Sequence, residues 1–125
     1  MAVTTTSFTT ATSYKITINT DTDTGASNAG QADVTGTSST IYAIEIHNAA
    51  SSVVYLKFYD AQEITVGTTA PVMTFMCAAT TRFNVFIPGG YSFTSGISMA
   101  ADTAGGGTAG TSDPASAVTV HLTHS

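Results

Sequence analysis

Three histidines, His47, His121 and His124, are the residues best suited by type to metal binding or to acid–base chemistry near neutral pH. A zinc site needs three or four nitrogen, sulfur or oxygen ligands that converge. His121 and His124 stand three positions apart, so they face opposite ways on a β-strand. A cluster of His47, Glu45 and His121 stays open if their strands pair, but the pattern favours surface or interface histidines and predicts no metal site.

Alternating carboxylates at Asp21 and Asp23 precede Gly25, a spacing that faintly resembles calcium-binding loops. Such loops end in a bidentate acid at a fixed distance, and Asp33 is the only nearby acid that follows. Asp and Gly are also ordinary turn residues, so a turn is the favoured interpretation.

No motif for catalysis stands out in the chain. Serine, histidine and aspartate are all present, but no nucleophile-elbow sequence occurs. The glycine run at residues 105–107 is not a phosphate-binding loop, because no lysine follows it and no helix opens after it. The sequence therefore predicts a protein that is not an enzyme and that needs no cofactor.

The composition is poor in charge and disfavours polyanionic partners. Charged residues make up 9% of the 125 residues, whereas about 25% is usual for a soluble domain. The formal net charge is −5, and Lys15, Lys57 and Arg82 are the only basic residues besides histidine. Binding to nucleic acid or to an anionic membrane surface is therefore not expected, while a neutral, hydroxyl-rich surface favours association with other proteins.

The single cysteine, Cys77, rules out an intrachain disulfide and is predicted to be a buried, inert thiol. Without disulfides the fold relies on its core, which suits synthesis in a reducing cytoplasm. The N-terminus shows no secretory signal, and no apolar run approaches the ~20 residues of a membrane span.

Alternation of apolar and polar residues predicts strands along most of the chain. No window of a dozen residues shows a helical pattern, so we expect an all-β fold, an antiparallel β-sandwich of seven to eight strands, for which a jelly roll is one candidate topology. The predicted strands cover residues 13–20, 40–47, 53–60, 72–78, 82–87, 91–93, 96–101 and 117–123.

The segments outside these strands define the predicted domain. Residues 13–125 form one domain, and residues 1–12 form a flexible N-terminal arm, with docking of Phe8 on a neighbouring subunit as an alternative. Long loops are expected at residues 21–39, with a short strand near 32–34, and at residues 102–115. The turn at residues 48–52 predicts an antiparallel hairpin between its two flanking strands.

The strand at residues 53–60 has two contrasting faces. One is wholly apolar, and the other carries Tyr55, Lys57 and Tyr59. Tyrosine is enriched at protein interfaces because it combines an apolar ring with a polar tip. We therefore predict that Tyr55, Lys57 and Tyr59, together with Phe8, form an interface with another subunit.

The same strand opens a series of short motifs. They are YLKFYD at residues 55–60, VGT at 66–68, Pro71, IPGG at 87–90, Phe93 and Gly96. This series resembles small all-β virion proteins of tailed bacteriophages, over roughly residues 42–122. It departs from that pattern at residues 75–81, where FMCAATT replaces a proline-bounded strand.

The resemblance implies a structural protein rather than a catalyst. The expected role is a capsid decoration, or cement, protein made in the host cytoplasm and bound to the major capsid protein on the outer capsid surface, as a homo-oligomer (dimer or trimer). The alternative is a tail, neck or fibre subunit, including a receptor- or glycan-binding module. The resemblance transfers no binding residues.

Overall fold

The computed structural model describes residues 2–7, 15–21, 31–105, 114–116 and 118–125. Within these ranges the chain forms β-strands and no helix, so the all-β prediction is confirmed. The strands are β1 (Ala2–Ser7), β2 (Lys15–Asp21), β3 (Gln31–Thr35), β4 (Ser39–Asn48), β5 (Val54–Asp60), β6 (Met73–Cys77), β7 (Thr81–Phe93), β8 (Ile97–Asp102) and β9 (Val118–His124). The described residues contain no helix that could span a membrane.

The strands form two antiparallel sheets. The first sheet, sheet A, has the order β1-β2-β9-β4-β7, and the second, sheet B, has the order β3-β8-β5-β6. One apolar cluster takes buried residues from both sheets, namely Ile41, Ile44 and Ile46 of β4, Val118, Val120 and Leu122 of β9, Leu56 and Phe58 of β5, and Ile97 and Met99 of β8. The sheets therefore share one core, and burial of each large aliphatic side chain contributes about 1.5–3 kcal/mol.

The N-terminal segment contributes a strand. Residues Ala2–Ser7, inside the segment predicted as a flexible arm, pair antiparallel with β2 of the same chain. Phe8 lies outside the described residues, and so do residues 22–30, which include Asp23 and Gly25 of the considered calcium loop. The short strand expected near residues 32–34 is confirmed as β3.

The alternation of buried side chains along strand β4 is interrupted at an irregularity in its pairing. Alternation alone predicts that Tyr42 joins Ile44 and Ile46 on the buried face. Instead Ile41 is buried with those two residues, because the register of β4 with β7 shifts between Ile41 and Ala43.

The segment Pro88-Gly89-Gly90, whose residue types are typical of a turn, is part of that irregularity. Ile41 pairs with Tyr91 and Ala43 pairs with Phe86, so Tyr42 alone stands opposite residues 87–90. Gly89 and Gly90 adopt positive φ angles of 79° and 80°, which glycine tolerates without a steric penalty. The predicted strands 82–87 and 91–93 are therefore two halves of one long strand, β7.

The predicted hairpin between β4 and β5 is wrong. The turn carries the chain from sheet A to sheet B, so the two strands belong to different sheets. Asn48, which is fully buried, holds this crossing. Its side-chain amide donates to the carbonyls of Ser52, Cys77 and Ala78, and its oxygen accepts from Ala50 N at 2.9 Å. A hairpin turn would leave most of these groups unpaired.

Candidate binding surface

The face of β5 predicted as a subunit interface is covered by the chain itself. Lys57 and Tyr59 are each 1% exposed. Ile64 and Val66, from the connection after β5, form a second apolar cluster with Tyr59 and Ala100. The expectation that Lys57 and Tyr59 face a second chain therefore does not hold, because the chain folds back over them.

A buried ion pair lies under this cover. Lys57 Nζ is 2.8 Å from Asp102 Oδ2, and both side chains are 1% exposed. The other carboxylate oxygen, Asp102 Oδ1, accepts from Ala104 N at 2.9 Å. Burial, and secondly the negative charge of Asp102, raise the pKa of Tyr59 to about 12. Charge compensation explains how a lysine can sit inside an apolar layer.

Tyr55 lies at the margin of this layer and is half-buried. Its ring packs so closely on Gly105 that a β-carbon there would come within 2.6 Å of the ring. Of the four predicted interface residues, Tyr55 is the only one whose side chain the structure leaves partly accessible, since Phe8 is not among the described residues.

Residues of the motif series stabilise a turn at the C-terminal end of β5. The carboxylate of Asp60 accepts from Thr94 N at 3.0 Å, from Thr94 Oγ1 at 2.8 Å and from Ser95 N at 2.7 Å. These backbone N–H groups of Ser95 and Thr94 lower the pKa of Asp60. A β-carbon on Gly96 would meet the Thr35 carbonyl oxygen. Asp60 of the first motif and the final glycine of the series, Gly96, therefore fix one turn.

Two of the histidines lie on opposite sides of β9, as their spacing predicts. His121 is half-buried on the outer face of sheet A, while His124 is buried and its Nδ1 lies 3.3 Å from Ser39 Oγ. This serine–histidine contact is unsuited to nucleophilic attack, because the Ser39 hydroxyl donates to Ser125 O at 2.6 Å.

The proposed cluster of His47, Glu45 and His121 is only partly assembled. Strands β4 and β9 pair and set Glu45 opposite His121, but Glu45 Oε1 lies 3.2 Å from Arg82 Nη1 in an exposed ion pair. The part of the chain that the structure describes contains no group of three histidine, cysteine or acidic residues arranged for a metal.

A shallow depression of about 260 Å³ opens beside this ion pair on the outer face of sheet A. It is lined by Ala43, Ile44, Glu45, Asn84, Phe86, His121 and Thr123. Phe86 is 79% exposed and offers a flat apolar ring next to amide, carboxylate and imidazole groups. Such a mixture can hold a small polar ligand with an apolar face.

Exposed apolar side chains also occur on the two edge strands that residues 78–80 connect. Strand β7 ends sheet A and β6 ends sheet B, and residues 78–80 join them directly. Four of the six exposed large apolar side chains among the described residues lie on these two strands, with Met76 at 59%, Phe86 at 79%, Phe83 at 39% and Tyr91 at 38%. This surface, defined by these four residues, is the β6–β7 edge.

The hydrophobic core reaches the surface at the β6–β7 edge. The ring of buried Phe58 meets Phe75 edge-on at 6.1 Å, and Phe75 in turn lies 6.4 Å from exposed Phe83. Val85 and Ile87 pack against the same core but are only partly buried. The gap between the two sheets is therefore lined by apolar groups that water can reach.

The sequence contained a signal for this surface. In residues 82–87 apolar side chains occur on both faces of the strand, as Phe83, Val85 and Ile87 on one and Phe86 on the other. That pattern is expected for a strand covered on both sides, yet nothing in the alternation reveals that β7 lies at the edge of its sheet.

Comparison with known proteins identifies no relative. No protein-family model matches the chain, and neither the curated proteins nor the solved structures include a significant match.

Proposed function

We propose that this protein is a structural subunit of a bacteriophage virion, and that it decorates the outer capsid surface and stabilises contacts between major capsid subunits. The observation that carries the proposal is the β6–β7 edge, where exposed apolar side chains lie on the edge strands of both sheets. Exposed apolar patches of this kind commonly mark protein–protein contacts. The motif series of residues 55–96 supports a virion protein in particular.

The arrangement of the two sheets favours a scaffold. We infer a β-sandwich, because the sheets share a single apolar core. Jelly-roll topology, by contrast, remains a prediction. Buried polar residues such as Asn48 and Lys57 are engaged in holding strands together. A non-enzymatic role is consistent with these contacts, since a catalytic group must be accessible to substrate whereas Asn48 and Lys57 are buried.

In this role the subunit would contribute apolar area at junctions between capsid proteins. Burial of apolar surface contributes about 25 cal/mol per Å², and many copies on one shell add avidity. A homo-oligomer, dimer or trimer, would present several such surfaces at once. A charge-poor exterior keeps the electrostatic cost of this packing small.

The copy number in the virion tests the proposal. Purified particles of the phage that encodes this chain should contain hundreds of copies, measured as gel band intensity relative to the major capsid protein. Purified chain should also rebind to shells from which it has been stripped. A few copies per particle, or no binding to stripped shells, would contradict decoration of the capsid.

A second candidate function is glycan or receptor binding as part of a tail, neck or fibre. The depression beside Phe86 favours it, because an exposed aromatic ring stacks on sugar rings while Glu45, Asn84 and His121 can hydrogen-bond hydroxyl groups. Glycan-array binding that is lost in Phe86→Ala, together with a low copy number, would select this function over decoration.

A further inference from the structure

Strand β7 lies at the end of sheet A. It has 13 residues and, among the described strands, pairs only with β4. Edge strands expose unpaired N–H and C=O groups, and proteins usually protect them with charged residues, proline or short length. Arg82 and Pro88 lie within β7, but the stretch between them, residues 83–87, has neither charge nor proline. That stretch is open to pairing with another strand.

The side chains of this stretch are apolar on both faces. Phe83 is 39% exposed on the side of the core, and Phe86 is 79% exposed on the outer face. Covering only one face would leave the other aromatic ring in water. A strand added alongside β7 would cover both at once, because its own side chains also alternate between the two faces.

The strands that flank the undescribed residues do not border β7. The segments outside the described residues attach to β1, β2, β3, β8 and β9. None of these strands borders β7, whose described neighbour is β4, and none borders β6, whose neighbour is β5.

The distribution of charge favours a second copy as that cover. Each chain carries a formal net charge of −5, which opposes association through any acidic surface. From Ile64 to Ala101 the sequence contains one charged residue, Arg82, which is already paired with Glu45. Two copies that meet at β7 thus join through a stretch of the chain with few charges.

We propose that two copies of this chain associate by antiparallel pairing of their β7 strands about a two-fold axis. The pairing joins both copies of sheet A into one continuous sheet and buries Phe83 and Phe86 of each copy. In a two-fold contact of this kind the same surface meets itself, so one apolar edge suffices. The inference deepens the proposed assembly role and rests on it for its biological purpose, although its test does not involve the virion.

Molar mass in solution tests the proposal. Light scattering on the purified chain should give about twice the single-chain mass of 12.7 kDa. Phe86→Lys and Phe83→Lys should each weaken dimerisation by at least about 30-fold, the loss expected at a central interface residue. Thr37→Lys adds the same charge at an exposed position between β3 and β4, away from β7, and should leave the dimer intact.

The possible results separate this inference from the proposed function. A wild-type monomer, or an oligomer that both phenylalanine variants leave unchanged, would overturn β7 pairing while leaving capsid decoration to the copy-number measurement. A β7 dimer that is scarce in virions would keep the inference and contradict decoration. Circular dichroism of Phe86→Lys should show the wild-type β spectrum, since Phe86 contributes little to the fold of one chain.

Discussion

Removing one partner of the buried Lys57–Asp102 pair should be among the most damaging single changes in the protein. Lys57→Met keeps most of the apolar stem but leaves the Asp102 carboxylate without its cation. Both side chains are 1% exposed and 2.8 Å apart, so water cannot replace the lost partner. A buried charge left without compensation costs far more than the pair contributes when it is intact.

The size of this effect follows from the burial of the pair. Breaking a buried ion pair from one side costs about 3–5 kcal/mol. For a domain of this size, each kcal/mol lowers the midpoint of thermal unfolding by roughly 4 °C. Lys57→Met should therefore lower the melting temperature by about 12–20 °C.

A double-mutant cycle isolates the pair from general effects on packing. Asp102→Asn keeps an oxygen that can accept from Ala104 N, and the double variant Lys57→Met/Asp102→Asn removes both charges together. The double variant should be clearly more stable than Lys57→Met alone, as measured by urea unfolding. A loss below about 1 kcal/mol in Lys57→Met, typical of an exposed pair, would refute the reasoning.

Three further predictions concern glycine geometry and pH. Gly89 and Gly96 both have positive φ, but of these two only Gly96 faces a backbone atom, the carbonyl oxygen of Thr35. In urea unfolding, Gly89→Ala should therefore lower the free energy of unfolding by about 1–2 kcal/mol, and Gly96→Ala should lower it by more than about 3 kcal/mol. Because the pKa of Tyr59 is raised to about 12, the unfolded chain loses the phenolic proton at lower pH than the folded chain does. The free energy of unfolding should therefore fall between pH 10 and about 12. Tyr59→Phe should flatten that part of a profile of melting temperature against pH. The pKa of Asp60 is lowered from 3.8, so the ionised carboxylate stabilises the fold above pH 3.8, and this stabilisation is lost as the pH falls through the pKa of the folded state. Asp60→Asn should remove this part of the acid dependence of the melting temperature. An acid profile that the substitution leaves unchanged would contradict the role of the Asp60 hydrogen bonds.

The positions of several strands could be predicted from alternation alone. The alternation in residues 117–123 predicts that Val118, Val120 and Leu122 share a buried face, and β9 buries all three. Cys77 was expected to be buried, and it is 1% exposed, where burial raises the pKa of its thiol. These predictions succeed because the side-chain period of a strand is a local property.

Which sheet each strand joins could not be predicted in this way. The crossing at Asn48 depends on carbonyls of Cys77 and Ala78, which are distant in sequence. The register shift at Tyr42 likewise involves two other strands, β7 and β9, which pair with β4 on either side. Alternation describes one strand at a time and carries no information about its partner.

The candidate interface shows the same limit. The sequence indicates an amphipathic strand face at Tyr55, Lys57 and Tyr59. The residues that cover this face come from the connection after β5 and from Asp102 of β8. No sequence pattern marks Phe86 as an interface residue, and its exposure follows from the position of β7 at the edge of sheet A. An amphipathic strand face in a sequence indicates that cover is needed, whereas only the structure tells whether the same chain supplies it.

Residue-resolved hydrogen exchange along β7 tests the central claim most directly. In a single chain, amides of Phe83–Ile87 that do not bond to β4 should exchange as fast as those of exposed loops. In the wild-type dimer these amides should be strongly protected, and the protection should disappear on dilution and in Phe86→Lys. Fast exchange of the same amides at every concentration would contradict the pairing of β7 between two copies.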